Sequence, residues 1–345
     1  MQKVIRRAIL TVGLASAAGR QISYLRYRAD LRSALQRIAR SSQVALTPRG
    51  PIEFAVAGDG PPILAVHGAG GGFDQGLLLT EDLVRGGFRS IAISRFGYLR
   101  TPQPRDASPG AQADAYAGLL DFLKIDRIGV LGASAGAPSS LQMAIRHPER
   151  VSALILLVPA IYMPGAHGAG ANMLPGLEAI FATVLRWDYP FWIASKLARD
   201  ILIRKMLGTP PELLRTASVE ERLRVEALLN FVLPVSRRRL GLVNDARVTS
   251  QLTRFDLERV STPTLILSAQ DDLYGTFERG RYTAEQIPGA RFVGYHSGGH
   301  LLVGRQGQCT TALLSHLKRY ALPRGIAADL ALRSRGKPAP ELAVS

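Results

Sequence analysis

Three residues far apart in this sequence have the types that together activate a hydroxyl. Ser134 lies in Gly132-Ala133-Ser134-Ala135-Gly136, directly after the apolar run Ile128–Leu131 and directly before a helix-like stretch. This is the G-x-S-x-G pattern in the strand–turn–helix setting that displays a serine on a sharp turn. Such a turn leaves no room for bulk two residues either side, and the helix that follows favours negative charge at its start. A serine hydroxyl is a weak nucleophile at neutral pH. It needs a base, and the base needs an acid to orient it.

Two later loops offer those partners. Thr264–Leu267 forms an apolar strand that runs into Ser268-Ala269-Gln270-Asp271-Asp272. A carboxylate there stands just beyond the C-terminal end of a parallel strand, where open sheets place their sites. Asp271 and Asp272 both qualify at this point. Phe292–Tyr295 is expected as the last strand, followed by Ser297-Gly298-Gly299-His300, and a histidine behind two glycines can swing over the serine. His296 lacks that glycine pair. His147 ends a helix, His316 lies within the last helix and His167 in a Gly-rich stretch, so these are expected to be structural or exposed.

The elements needed to hold these loops are legible. Val44–Leu46 and Ile52–Val56 are spaced as an antiparallel hairpin, the second with period-two alternation. Ile63–Val66, Ser90–Ile93, Ile128–Leu131, Ala153–Val158 and Thr264–Leu267 are short apolar runs, typical of parallel strands buried on both faces. Leu77–Arg85, Ala111–Leu123 and Ala137–Arg146 are helical in pattern. Strands alternating with helices predict an α/β chain with a doubly wound, mostly parallel sheet. Between Ala153–Val158 and Thr264–Leu267 the texture is helical (Leu177–Trp187, Phe191–Lys205, Val219–Val232), which predicts an inserted helical cap over 160–259 rather than a long loop. The core then comprises 44–159 and 260–322, and 325–345 is expected to be a flexible tail.

At 345 residues, with 47% hydrophobic and 20% charged residues, the composition is that of a globular protein. A formal net charge of +16 raises nucleic acid and anionic membranes as partners. No nucleic-acid module accompanies it, arginine is scattered through every segment, and none is expected to bind nucleic acid. The sharpest cluster, Arg237, Arg238 and Arg239, is expected to be a solvated helix end. Cys309 is the single cysteine, which rules out an intramolecular disulfide and suggests a buried bystander. Residues 1–40 are expected to stand apart from the fold. Lys3, Arg6 and Arg7 precede the apolar run Ala8 to Ala18, as in a signal peptide, but a bilayer span needs about 20 residues. The other reading is a helix continuing into Tyr24–Ala39. Export, membrane-surface attachment and a cytosolic extension stay open, with membrane association slightly favoured.

On these motifs the stretch from about Ile52 to Leu317 resembles the α/β-hydrolase family, in its esterase, lipase, peptidase and haloperoxidase branch. The resemblance implies the order Ser, Asp, His, with Ser134 as nucleophile, Asp272 as orienting acid and His300 as base. Asp272 is preferred because the family carries a small residue, two variable residues and then the acid, which puts Ala269 at the small position. Asp271 becomes a solvated loop carboxylate. His67-Gly68-Ala69-Gly70-Gly71-Gly72 becomes the oxyanion loop, with His67 bracing it. The N–H groups of Ala69 or Gly70, with that of Ala135, are the implied oxyanion donors. The expected activity is hydrolysis of an ester, amide or related acyl bond through an acyl-serine, with no cofactor and no metal. Cofactor-free perhydrolysis or haloperoxidation, C–C bond hydrolysis, and a non-catalytic interaction protein are the alternatives.

One departure from the family is Ser94-Arg95-Phe96-Gly97-Tyr98-Leu99, where relatives carry an aspartate and more glycines. It is expected to lie away from the nucleophile and to affect packing or substrate shape. The cap is expected to set the substrate range for a small molecule with an apolar portion, without supplying catalytic groups. Trp187, Tyr189, Phe191 and Trp192 are expected either to line an acyl pocket or to form the cap's own core. Asp188 is expected to pair with arginines.

Overall fold

The computed structural model describes residues 2–166 and 185–321, with side chains from residue 19 onward. His167, most of the expected helix Leu177–Trp187 and the tail 325–345 lie outside the described residues.

An eight-stranded sheet in the order β1-β2-β4-β3-β5-β6-β7-β8 organises the chain. The strands are β1 (Gln43–Thr47), β2 (Gly50–Ala57), β3 (Pro62–Val66), β4 (Arg89–Ile93), β5 (Ile128–Ala133), β6 (Val151–Leu157), β7 (Thr264–Ala269) and β8 (Arg291–Tyr295). β1 and β2 form the expected edge hairpin, β2 meets β4 antiparallel, and the remaining pairs are parallel. Every residue of β5, β6 and β7 is buried, which is why these strands are continuous apolar runs instead of alternating ones.

Helices cover both faces. One side carries α4 (Pro109–Phe122) and α5 (Ala137–Arg146) in the larger core with Leu141, Met143 and Tyr116; the other carries α12 (Gln306–Tyr320) through Leu313 and Leu317. The expected helix at Leu77–Arg85 is two helices, α2 (Phe73–Leu79) and α3 (Glu81–Arg85). They part at Thr80, whose hydroxyl turns back to the Gly76 carbonyl (2.9 Å) and meets Ser90 Oγ (2.6 Å).

Between β6 and β7 the described residues form a helical insert: α6 (Asp188–Leu197), α7 (Arg199–Met206), α8 (Leu213–Thr216), α9 (Val219–Phe231) and α10 (Arg239–Ser250). α11 (Thr276–Gln286) then follows β7. The insert has its own apolar cluster, including Phe191, Trp192, Ile203, Val225, Leu229 and Val232.

Residues 2–40 are one helix, α1 (Gln2–Arg40), and its second half is not separate from the rest. Ala34 is buried in the insert's cluster with Tyr27 and Leu31 against it. Trp192 Nε1 donates to Asp30 Oδ2 (2.8 Å), and Arg37 donates to Asp74 Oδ2 (3.1 Å) and the Leu233 carbonyl (2.8 Å). These contacts span 37 to 196 positions of sequence, which local patterning does not encode. Among the described residues no helix is long and apolar enough to cross a membrane.

Candidate active site

The parallel strands all end on one edge of the sheet, and the predicted site residues gather there. β5 ends at Ala133 and the chain turns straight into α5 through a single 3₁₀ turn, Ser134–Gly136. Ser134 has φ of 49°, a left-handed backbone that a non-glycine residue adopts only where the surroundings impose it. The flanking glycines show what imposes it. A Cβ on Gly132 would stand 2.3 Å from Ser140 Oγ, and one on Gly136 would stand 2.6 Å and 2.7 Å from the His67 and Val66 carbonyl oxygens. Only glycine lets the turn lie this close to β3 and α5.

Ser134, His300 and Asp272 are joined in a hydrogen-bonded chain. Ser134 Oγ is 2.8 Å from His300 Nε2, and His300 Nδ1 is 2.7 Å from Asp272 Oδ2. Asp272 and His300 are buried and Ser134 is half-buried. Asp272 is itself held: Tyr274 N–H donates to its Oδ1 (2.8 Å), and the Thr276 hydroxyl donates to its Oδ2. Tyr274 stands edge-on to the His300 ring with centroids 4.9 Å apart. A chain of this geometry can draw the Ser134 proton onto His300 and hold the resulting imidazolium against a carboxylate.

Asp271 is not a solvated bystander. It accepts from Ser297 Oγ (2.8 Å), Gly298 N–H (2.9 Å) and Gly299 N–H (2.7 Å), and so fixes the loop that presents His300. The glycine pair in that loop serves conformation and fit more than swing. Gly299 has φ of 60°, and a Cβ on it would meet Thr209 Cγ2 at 2.8 Å. From the insert, the Gly208 carbonyl accepts from His300 N–H (3.3 Å) and Leu273 N–H (3.0 Å).

The rival histidines among the described residues stand elsewhere. His296 is exposed beside Gln270, His147 meets Asp114 at 2.9 Å, and His316 meets the Pro263 carbonyl at 3.1 Å. Cys309 is buried, and burial pushes its thiol up from the ordinary range.

The Gly-rich loop after β3 runs beside Ser134, and a Cβ on Gly68 would lie 3.2 Å from Ser134 Cβ. His67 is fully buried. Its Nε2 accepts from Arg95 N–H (3.0 Å), which leaves its proton on Nδ1, donated to the Gly68 carbonyl (2.6 Å). Burial first, and then the positive charge of Arg95, hold this imidazole well below its usual titration range, so it stays neutral. Of the implied oxyanion donors, Gly70 N–H is engaged internally, donating to Tyr98 Oη (3.1 Å). Of the two, Gly70 is thus the one whose N–H already has an acceptor inside the protein.

The segment Ser94–Leu99 does not lie away from the nucleophile. Arg95 is buried, its guanidinium donating to the Gly68 carbonyl (3.2 Å), the Ala135 carbonyl (3.1 Å) and Asp245 of α10 (2.8 Å). Burial and then Asp245 push the Tyr98 hydroxyl well above its usual range, so it stays protonated and donates to Asp245. Arg238, expected to be solvated, is fully buried; it pairs with Asp74 (2.8 Å) and donates to the Gly71 carbonyl. Burial would raise Asp74, but Arg238 and Arg37 outweigh it and hold the carboxyl below its usual range. Sequence reasoning missed Arg95 and Asp245. The available signal was Arg95's place just past β4, on the same sheet edge as Ser134.

Phe191, Trp192 and Tyr189 belong to the insert's own core. Phe191 and Trp192 are buried in its cluster, and Trp187 is 66% exposed. Asp188 accepts from Ser236 N–H (2.9 Å) and Oγ (2.8 Å) rather than from arginines. Facing the Gly-rich loop after β3 instead are Val232, Leu242 and Met206, which a Cβ on Gly70 would meet at 3.6, 3.8 and 3.8 Å.

A strand-borne serine on a strained turn, hydrogen-bonded to a histidine and through it to a carboxylate on the loops after the last two strands, defines a class. The alpha/beta hydrolase fold model matches residues 61–304, and the chain belongs to that family. Among its relatives is an uncharacterized hydrolase, YcgS, of Bacillus subtilis, 27% identical over 77% of this chain and 94% of that protein. Another is the 2-hydroxy-6-oxo-6-phenylhexa-2,4-dienoate hydrolase of Comamonas testosteroni, 25% identical over 72% of this chain and 84% of that one. In structure, an alpha/beta hydrolase fold protein from Nakamurella multipartita is similar with a TM-score of 0.63 and 28% identity, covering 80% of this chain and 99% of that one.

Proposed function

We propose that the protein is a serine hydrolase that cleaves an ester, amide or related acyl bond through an acyl-Ser134 intermediate. The observation that carries this reading is the Asp272–His300–Ser134 chain, with contacts of 2.7 and 2.8 Å. Ser134 Oγ attacks the substrate carbonyl as His300 Nε2 takes its proton. Asp272 keeps the other ring proton on Nδ1. The oxyanion gathers between the Ala69 and Ala135 N–H groups, worth about 10²–10³-fold each in comparable enzymes. Collapse expels the leaving group, which takes the proton from His300. Water then attacks the acyl-serine with His300 again as base, releasing the acid and restoring the hydroxyl.

The helical insert acts as a cap. Met206, Val232 and Leu242 give it an apolar underside opposite the oxyanion loop, which favours a small substrate with an apolar acyl portion. Each methylene buried there contributes about 0.8 kcal/mol. One second reading has a comparison behind it: hydrolysis of a C–C bond next to a carbonyl, because the Comamonas relative is named a hydrolase of a 2-hydroxy-6-oxo-6-phenylhexa-2,4-dienoate, a ketone with no ester or amide bond to cleave. Parallel assays separate the two: p-nitrophenyl esters of graded chain length against a 2-hydroxy-6-oxo-dienoate. Turnover of esters, abolished in Ser134→Ala, supports the acyl hydrolase. Preferential turnover of the dienoate supports the other.

A further inference from the structure

We propose, on the reading of Ala69 as an oxyanion donor, that Arg95 is a positioning residue for the Ala69 N–H and that Asp245, carried by the insert, holds Arg95 in place. The Gly68–Ala69 peptide is planar, with its C=O and N–H pointing in opposite directions. Whatever fixes the Gly68 carbonyl therefore aims the Ala69 N–H. Three donors reach that carbonyl: Arg95 Nη2 (3.2 Å), His67 Nδ1 (2.6 Å) and Gly71 N–H (3.4 Å). Two of them trace to Arg95. Its guanidinium binds directly, and its backbone N–H sets the His67 tautomer that donates. The same guanidinium reaches the Ala135 carbonyl (3.1 Å), so one buried cation touches both segments that carry oxyanion donors.

A guanidinium this deep needs a counter-charge with good geometry. Arg95 is 2% exposed and Asp245 5%. Asp245 accepts from both terminal nitrogens of Arg95 and from the Tyr98 hydroxyl, which in turn receives Gly70 N–H. Glycine at 241 makes the approach of α10 feasible: a Cβ there would lie 2.1 Å from the Tyr98 ring. Gly241 N–H also donates to the Gly97 carbonyl (2.9 Å). Seating of the insert and aim of the donor are thus one bonded unit. No bond in this unit reaches the side chains of Ser134, His300 or Asp272, so disturbing it acts on the oxyanion and leaves the proton relay.

The test is ester hydrolysis by the full chain in Asp245→Asn, Arg95→Lys and Tyr98→Phe, beside inhibition by a trifluoromethyl ketone, whose serine adduct carries an oxyanion. Mis-aiming a donor costs less than deleting it, so kcat should fall about 10- to 100-fold against the 10²–10³ of outright loss. KM should stay within about threefold, because ground-state binding does not use the donor. Ketone affinity should fall in step with kcat/KM. Asp245→Asn leaves a buried charge poorly paired and could fail to fold; Arg95→Lys keeps the charge opposite Asp245 while losing the planar fork that reaches the Gly68 carbonyl, and carries the test on its own. Folded variants that keep the wild-type kcat and ketone affinity, or that lose only KM, overturn the proposal. Ser134→Ala separates this from the serine mechanism. Turnover in that variant sinks the mechanism itself, whereas a dead Ser134→Ala beside unchanged positioning variants sinks only the role of Arg95.

Discussion

Asp272→Asn changes one atom, yet the bonds around this side chain predict a loss of about 10⁴-fold in kcat, or about 5 kcal/mol in the barrier. Tyr274 N–H can only donate, and it faces Oδ1 at 2.8 Å. The amide of the variant must therefore keep its oxygen at that position and place its NH₂ where Oδ2 stood. Oδ2 is the atom that meets His300 Nδ1 at 2.7 Å. The imidazole then accepts at Nδ1 and carries its proton on Nε2, aimed at Ser134 Oγ, so it cannot act as a base. Asp271→Asn is the matched control. Both of its backbone donors reach Oδ1, which the amide retains, and the Ser297 hydroxyl can reverse to accept from the new NH₂. Loss of charge on those bonds costs about 1 kcal/mol, roughly a factor of five in kcat. Initial rates on a p-nitrophenyl ester, with unfolding curves to confirm folded protein, read both. A folded Asp272→Asn within tenfold of wild type, or an Asp271→Asn that is the worse of the two, would refute the assignment.

Gly136→Ala places a methyl group against two backbone carbonyls that cannot move, so it should destabilise by about 3 kcal/mol or more, seen as a lower melting temperature; an unchanged melting temperature would contradict the close approach. Met206→Ala and Leu242→Ala, both only partly buried, should shift preference between short and long acyl chains with a smaller loss of stability than Trp192→Ala, which should chiefly destabilise. The opposite pattern in a chain-length series would move the acyl site. His316 is held down to about 4 by burial, from an ordinary 6.5. Between those values the unfolded chain binds a proton that the folded one does not, so stability falls as pH drops from 6.5 to 4, by up to about 3 kcal/mol. His316→Gln should flatten that part of the urea-midpoint profile, and an unaltered slope would rule His316 out as its source.

The sheet and the gathering of Ser134, Asp272 and His300 were legible because both depend on local patterns. Buried parallel strands are apolar throughout, and each site loop follows its strand directly. The choice of Asp272 over its neighbour came from family resemblance, and the bonds of the two carboxylates now give physical reasons for different behaviour. What escaped was long-range polar pairing. Arg95 and Asp245 are 150 residues apart, and nothing around Asp245 marks a mid-helix carboxylate as a buried counter-ion. Arg238 looked solvated for the same reason, since its partner Asp74 lies 164 positions away. The docking of α1 on the insert was hidden likewise. The break at Thr80 is a side-chain choice that helical periodicity overrides in a sequence.

The most direct test of the central claim is covalent labelling of the full chain with a fluorophosphonate, followed by intact mass and peptide mapping. A single adduct on Ser134, loss of ester hydrolysis in step with its formation, and no adduct in Ser134→Ala are the expected results. An adduct at another residue, or ester turnover that survives in Ser134→Ala, would contradict it.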